Sequence, residues 1–264
     1  MLDARPVELF WTGGFDSTFR LLALLLDHRL PVQPSYIYDE RRASAPIEVA
    51  TMARIRATLA ATHPQTRDLL LPTRTEPLPA HTPDDDIQRA FDALLRDHRI
   101  GDQYAFLSRW CRERGLRDVE LSCEWGPRGT PHALEPYMTP AASPHGLPTF
   151  RLHRDAPEDF QRVFGVFTFP LIGMTKMEEA QIATLRGWND ILSETWFCHH
   201  PTRKQRPCGF CNPCQYALEE GFGARIPRSR RALSQLYNAT LMPLRGFARQ
   251  MRRRLRRYDV PRYR

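Results

Sequence analysis

Val7-Glu8-Leu9-Phe10-Trp11-Thr12-Gly13-Gly14-Phe15-Asp16-Ser17-Thr18 is the stretch whose reading decides the fold. Its first five residues read as a short strand, Gly13-Gly14 as a tight turn, and the apolar run from Phe19 to Leu26 as the helix that follows. Glycines let the backbone take positive φ and come close to a ligand, and a helix N-terminus adds unpaired N–H donors and partial positive charge. The hydroxyls of Thr12, Ser17 and Thr18 can hydrogen-bond phosphate oxygens, and Asp16 can cap the helix or help hold a magnesium ion. The same letters also describe an ordinary helix start behind a Gly-Gly turn, and there is no GxxxxGK[ST] loop.

Working outward, Val32–Tyr38 reads as a second strand, Ile47–Ala61 as a helix and Asp68–Leu71 as a third strand. This alternation predicts an α/β fold with an open, mostly parallel sheet flanked by helices. Residues 72–86 read as a loop ending in Pro83-Asp84-Asp85-Asp86, whose acids cap a helix over Ile87–Arg96. A helix over Tyr104–Arg114 and a strand over Asp118–Cys123 follow, and residues 125–157, rich in Pro and Gly, read as a long irregular segment. Ligands of open α/β sheets sit at the carboxyl ends of strands, which makes Cys123 and Glu124 candidate substrate contacts. Phe169 to Glu178 runs from extended chain into a helix, with Thr175 and Glu178 spaced as a capping box. Lys176 then lies in the first turn, where a cation opposes the helix dipole and gains from an anion. That anion is a nucleotide phosphate or, more simply, Glu178 or Glu179 beside it.

At 264 residues and 42% apolar composition, one main α/β domain with appendages is expected. No apolar run approaches the ~18 residues of a spanning helix, and Met1 to Pro6 lack a leader pattern, so a cytoplasmic protein with no membrane partner is expected. The net charge of +8 is unevenly placed: residues 225–264 carry thirteen Arg and one acid, or +12, which leaves residues 1–224 at −4. Arg252-Arg253-Arg254-Leu255-Arg256-Arg257 could bind nucleic acid. The favoured reading is a C-terminal helix docked through Leu233, Leu236, Leu241, Leu244 and Phe247, with a solvated basic face. Of thirty-eight basic residues only Lys176 and Lys204 are lysines.

Cys198, Cys208, Cys211 and Cys214 form C-x9-C-x2-C-x2-C, with Gly209 permitting the tight turn. Four thiolates with no open position describe a structural Zn²⁺ site, an iron–sulfur cluster being the runner-up. His199 and His200 are read as bystanders, and Cys111 is given no role.

The run Thr12–Thr18 resembles the SGGxDS loop of PP-loop ATP pyrophosphatases, with Thr12 in place of Ser. Pro170-Leu171 leading into Thr175-Lys176-Met177-Glu178, and Thr195-Trp196-Phe197-Cys198 followed by Cys208-Gly209-Phe210-Cys211-Asn212-Pro213-Cys214, are similar to 7-cyano-7-deazaguanine synthases (QueC-like enzymes). The resemblance implies Mg²⁺-ATP bound over Phe10, Trp11, Thr12, Gly13, Gly14, Phe15, Asp16, Ser17 and Thr18, with Asp16, Ser17 and Lys176 as catalytic positions. It implies Zn²⁺ at the four cysteines and a homodimer. The implied reaction is an AMP-forming ligation that adenylates the carboxylate of 7-carboxy-7-deazaguanine or a related acid, with capture by ammonia to amide and nitrile.

The family's Arg-Asn pair and Tyr-Pro-Asp-Cys stretch are replaced here by Gly101-Asp102-Gln103-Tyr104 and Cys123-Glu124-Trp125-Gly126-Pro127. An amine of a protein partner is therefore the alternative acceptor, since QueC-like members also occur in bacterial antiviral gene clusters. A tRNA-thiolating enzyme ranks lower, because the spare Cys111 and Cys123 lie in no sulfur-transfer context. The expected organisation is an ATP-binding domain over 1–195, a zinc module over 196–224 and an arginine-rich helical tail over 225–264.

Overall fold

The computed structural model describes residues 5–78, 85–126 and 129–240. Contacts divide the chain into one unit over Met1–Trp196 and a second over Phe197–Arg264. The first is built on β1 (Val7–Phe10), α1 (Phe15–Leu22), β2 (Val32–Tyr38), α2 (Ala45–Thr62), α3 (Thr66–Leu69) and β3 (Arg74–Pro77). Then come α4 (Asp86–Asp97), α5 (Gln103–Glu113), β4 (Val119–Glu120), α6 (Thr130–Leu134), β5 (Met138–Ala142), β6 (Pro148–Leu152), α7 (Glu158–Phe164) and β7 (Phe167–Thr168). The unit closes with α8 (Lys176–Arg186) and α9 (Asn189–Ser193).

Five strands form one sheet in the order β3-β2-β1-β4-β7, every neighbouring pair parallel. All four residues of β1 are buried, as befits a strand covered on both faces: Val7, Leu9 and Phe10 are apolar, and Glu8 is paired with Arg74 at 2.8 Å. The period of two divides them. Val7, Leu9 and Trp11 join a core with Phe19, Leu21, Leu22, Ile55 and Leu59 of α1 and α2. Phe10 points the other way, into a core with Phe91, Trp110, Phe160, Phe164 and Phe167. A buried ion pair fixes α1 against β4: Arg20 Nε and Nη2 donate to the two carboxylate oxygens of Glu120, both at 2.7 Å.

Several expectations need correction. The first helix begins at Phe15 rather than Phe19 and widens into a π turn over Ala23–Asp27. Asp68–Leu71 is not the third strand: Thr66–Leu69 is a helical turn, Leu70 makes only a single bridge to Val32, and the strand is Arg74–Pro77. An edge strand needs no apolar face, so Arg-Thr-Glu-Pro carried no strand signal, while Leu69–Leu71 supplied a false one. The strand expected over Asp118–Cys123 is confined to Val119–Glu120.

Residues 125–157 are not irregular, since they contain α6 and the antiparallel hairpin β5–β6. Its turn is closed by Ser143, whose N–H donates to the Leu147 carbonyl at 2.8 Å and whose hydroxyl accepts from the Leu147 N–H at 3.1 Å. As expected, an acid caps α4: the Asp85 carboxylate accepts from the Gln88 N–H at 2.6 Å. Pro83, Asp84 and Pro127 lie outside the described residues.

In the second unit, α10 (Asn212–Glu219) is followed by helical chain over 228–240. Leu233 and Leu236 do not form its docked face: they are 50% and 59% exposed, while Ser234 is buried and accepts from Gln215 Nε2 at 2.9 Å. Leu241, Leu244, Phe247 and the arginine run of 252–257 lie outside the described residues. Among the described residues no helix is long and apolar enough to cross a membrane.

Candidate functional site

The strand order reverses between β1 and β4, and the crevice outside the carboxyl ends at such a switch point is where open α/β sheets bind ligands. Three adjacent strands send their following segments there: β1 leads to residues 12–16, β4 to 121–124, and β7 to Lys176 on α8.

After β1 the chain turns at Gly13, with φ +70°. A Cβ at Gly13 would meet Thr51 Cγ2 at 3.1 Å and Met52 Cγ at 3.2 Å, so the turn requires glycine twice over. The Gly13 carbonyl accepts from the Trp196 N–H at 2.9 Å, and the Gly14 N–H donates to Thr12 Oγ1 at 3.3 Å. The Ser17 hydroxyl donates to the Gly14 carbonyl at 3.4 Å. No side-chain oxygen caps α1 at Gly14, the arrangement that suits an anion at a helix N-terminus. Thr12 is exposed at the turn, whereas Thr18 is wholly buried and its hydroxyl accepts from Trp11 Nε1 at 3.0 Å. Phe10 and Trp11 are core residues. Of the run, Thr12 is exposed and Gly14, Phe15 and Asp16 are half-buried, whereas Gly13 and Ser17 are buried in the turn and Phe10, Trp11 and Thr18 support it from the core.

Lys176 takes the first position of α8, held there by the capping box. The Thr175 N–H donates to Glu178 Oε2 at 2.8 Å and the Glu178 N–H to Thr175 Oγ1 at 3.3 Å. Its ammonium does not pair with Glu178 or Glu179. It lies 2.7 Å from Asp16 Oδ1 and 2.8 Å from Glu124 Oε1, residues distant in sequence that the topology brings together. A bond from the Trp125 N–H to the Met174 carbonyl, 2.7 Å, ties the β4 segment to the start of α8. Burial works against the Lys176 charge, but the Asp16 and Glu124 carboxylates outweigh it and hold the ammonium above its ordinary range.

Glu179, one turn on, was missed. It is 0% exposed, neither of its oxygens meets a donor, and it lies with Asp16 and Glu124 in a group whose oxygens are within 4.8 Å of one another. Burial, then the Asp16 carboxylate, pushes its carboxyl far above the usual range. The available signal was spacing: Glu179 and Ala183, four apart, are the inward face of α8. Cys123 is brought to the same region, its sulfur 3.4 Å from the Tyr104 hydroxyl. Burial pushes that thiol up to about 11, so it is not a ready thiolate at neutral pH.

The four cysteines gather in the second unit. Sulfur–sulfur distances are 3.8 Å for Cys208–Cys214 and Cys198–Cys211 and 3.4 Å for Cys211–Cys214. A tetrahedral ion with metal–sulfur bonds of ~2.3 Å sets its sulfurs about 3.8 Å apart, so the donor set fits zinc with little adjustment. Backbone N–H groups of Phe210 and Cys211 donate to Cys208 Sγ, both at 3.3 Å, and that of Cys208 donates to Cys198 Sγ at 3.2 Å. Gly209, with φ +83°, passes so close to the Arg230 carbonyl that a Cβ would stand 3.0 Å from it. His199 and His200 line an open depression beside the sulfurs with Cys208, Phe210, Cys211 and Asn212. The cluster can hold a metal such as zinc.

Comparison with protein-family models gives no match to this chain, and none of the curated proteins compared with it matches.

Proposed function

We propose that the chain is an ATP-dependent, AMP-forming carbon–nitrogen ligase of the PP-loop type that activates a carboxylate for capture by an amine. One observation carries this reading: Lys176 stands beside Asp16 of the glycine turn, at the switch point of a parallel sheet. The Gly13-Gly14 turn and the uncapped start of α1 suit the β,γ-phosphates, with Thr12 and Ser17 as hydroxyl donors. Asp16 would hold Mg²⁺, which neutralises phosphate charge when bound.

A carboxylate oxygen attacks the α-phosphorus, the bond to the β-phosphate oxygen breaks, and pyrophosphate leaves with the electron pair. An amine then attacks the acyl carbon, AMP departs, and the amine proton passes to solvent or a nearby carboxylate. Lys176 would stabilise the negative charge that accumulates on the departing phosphates. No side-chain nucleophile is needed, in keeping with the raised Cys123 thiol, which also argues against sulfur transfer.

The QueC-like resemblance names 7-carboxy-7-deazaguanine as the acid to try, and the exposed ring of Trp125, next to Glu124, suits stacking on a planar heterocycle. The test is pyrophosphate release and product mass with Mg²⁺-ATP and this acid, with and without ammonium. Lys176→Ala and Asp16→Ala should abolish acid-dependent release. A nitrile or amide product supports the deazapurine assignment. Release without either product supports activation and points to a protein amine as acceptor, and no acid-dependent release refutes this substrate.

A further inference from the structure

We infer that Asp16, Glu124 and Glu179 together form a divalent-cation site of the Mg²⁺/Mn²⁺ class, in which the Lys176 ammonium is the competing occupant. The inference deepens the ligase reading, since it assigns to Glu124 and Glu179 a role toward the metal of that reaction. Three carboxylates from three segments converge, and their oxygens lie within 4.8 Å of one another. Around an octahedral Mg²⁺ with bonds of ~2.1 Å, neighbouring oxygens are about 3.0 Å apart and opposite ones about 4.2 Å, so closing the set on an ion requires the three side chains to draw in as the ammonium leaves. All three donors are hard oxygens, the ligands that Mg²⁺ and Mn²⁺ select.

Glu179 supplies the independent observation. A wholly buried carboxylate with no donor to either oxygen is costly, and a helix facing a core gains nothing from an acid at that position. The cost disappears if an ion occupies the space into which it points. Lys176 is ion-paired with Asp16 and Glu124, while burial and the Asp16 carboxylate hold Glu179 in its neutral form, so an incoming dication would displace a proton from Glu179 as well as the ammonium. Entry of a dication would release Lys176 from both ion pairs and free it for an anion, so cation and phosphate binding would be coupled.

The test is Mn²⁺ binding followed by electron paramagnetic resonance on the full chain with its cysteine metal in place and no nucleotide present. One Mn²⁺ per chain is expected. Glu179→Gln should weaken binding by at least about tenfold, the loss common even for outer-shell partners of a metal, and Lys176→Met, which removes the competing charge, should tighten it. Thermal melts verify folding, and Glu124→Gln takes the place of Glu179→Gln if that variant does not fold. No stoichiometric Mn²⁺ in wild type or Lys176→Met overturns the inference, as does Glu179→Gln binding like wild type. ATP binding is measured separately with a fluorescent analogue, so failure of the nucleotide reading leaves the Mn²⁺ result standing and the reverse also holds.

Discussion

Replacing Gly13 with alanine isolates what the glycine turn demands. Gly13 has φ +70°, and a left-handed conformation costs an L-residue ~1–2 kcal/mol. The new methyl would also meet Thr51 Cγ2 at 3.1 Å, Met52 Cγ at 3.2 Å and the Glu48 carbonyl at 3.3 Å, all inside ordinary contact. Overpacking of this kind adds ~1–3 kcal/mol. Against these, alanine restricts the unfolded chain and returns ~0.4–1 kcal/mol.

Gly146 provides the control, because its φ is +75° yet a Cβ there meets nothing within 4 Å. Backbone strain and unfolded-state terms are common to both variants, so denaturant titration should find Gly13→Ala less stable than Gly146→Ala by about 1–3 kcal/mol. At roughly 2–4 °C per kcal/mol for a unit of this size, the melting points should differ by several degrees. If the two variants lose equal stability, the packing around the turn is not what makes Gly13 necessary and the argument fails.

Elemental analysis of purified protein should find one zinc per chain, lost in Cys208→Ser together with the fold of the second unit, as read by proteolysis. Truncating one side of the buried Arg20–Glu120 pair, as Arg20→Ala or Glu120→Ala, should cost about 3–5 kcal/mol, while Arg20→Met with Glu120→Leu should recover most of it in denaturant titrations. Asp86, hydrogen-bonded by Arg112 and also paired with Arg162, has its carboxyl lowered from 3.8 to about 2. A depressed carboxyl contributes stability above its unfolded value and loses it as pH falls through its folded one. The stability gap between wild type and Asp86→Asn should therefore be full above about pH 5, shrink as pH falls toward about 2, and disappear only below it.

The strand–turn–helix start, the parallel sheet and the cysteine cluster were legible because each rests on local pattern: burial on both faces, a glycine pair, ligand spacing. What stayed hidden rests on pairings across the chain. Nothing beside Lys176 in sequence announces Asp16 or Glu124 as its partners, and Arg20 meets Glu120 a hundred residues away. The hairpin β5–β6 escaped because Pro140, Pro144 and Pro148 read as loop, although a two-stranded ribbon tolerates proline at its edges and turn. Glu179 escaped because an acid on a helix is assumed to face water.

The placement of β1 at the middle of the sheet has a consequence for how the chain matures. As synthesis proceeds, β1 can pair with β2 almost at once, but its other edge waits for β4, roughly 110 residues later, which is on the order of 10 s at ribosomal rates. Until then an apolar strand edge stays open to any other chain that offers one. The Lys176–Asp16 contact forms later still, so no nascent fragment that stops short of α8 can display the assembled crevice. Newly made chains should thus pass through an aggregation-prone interval before the Lys176–Asp16 contact can form.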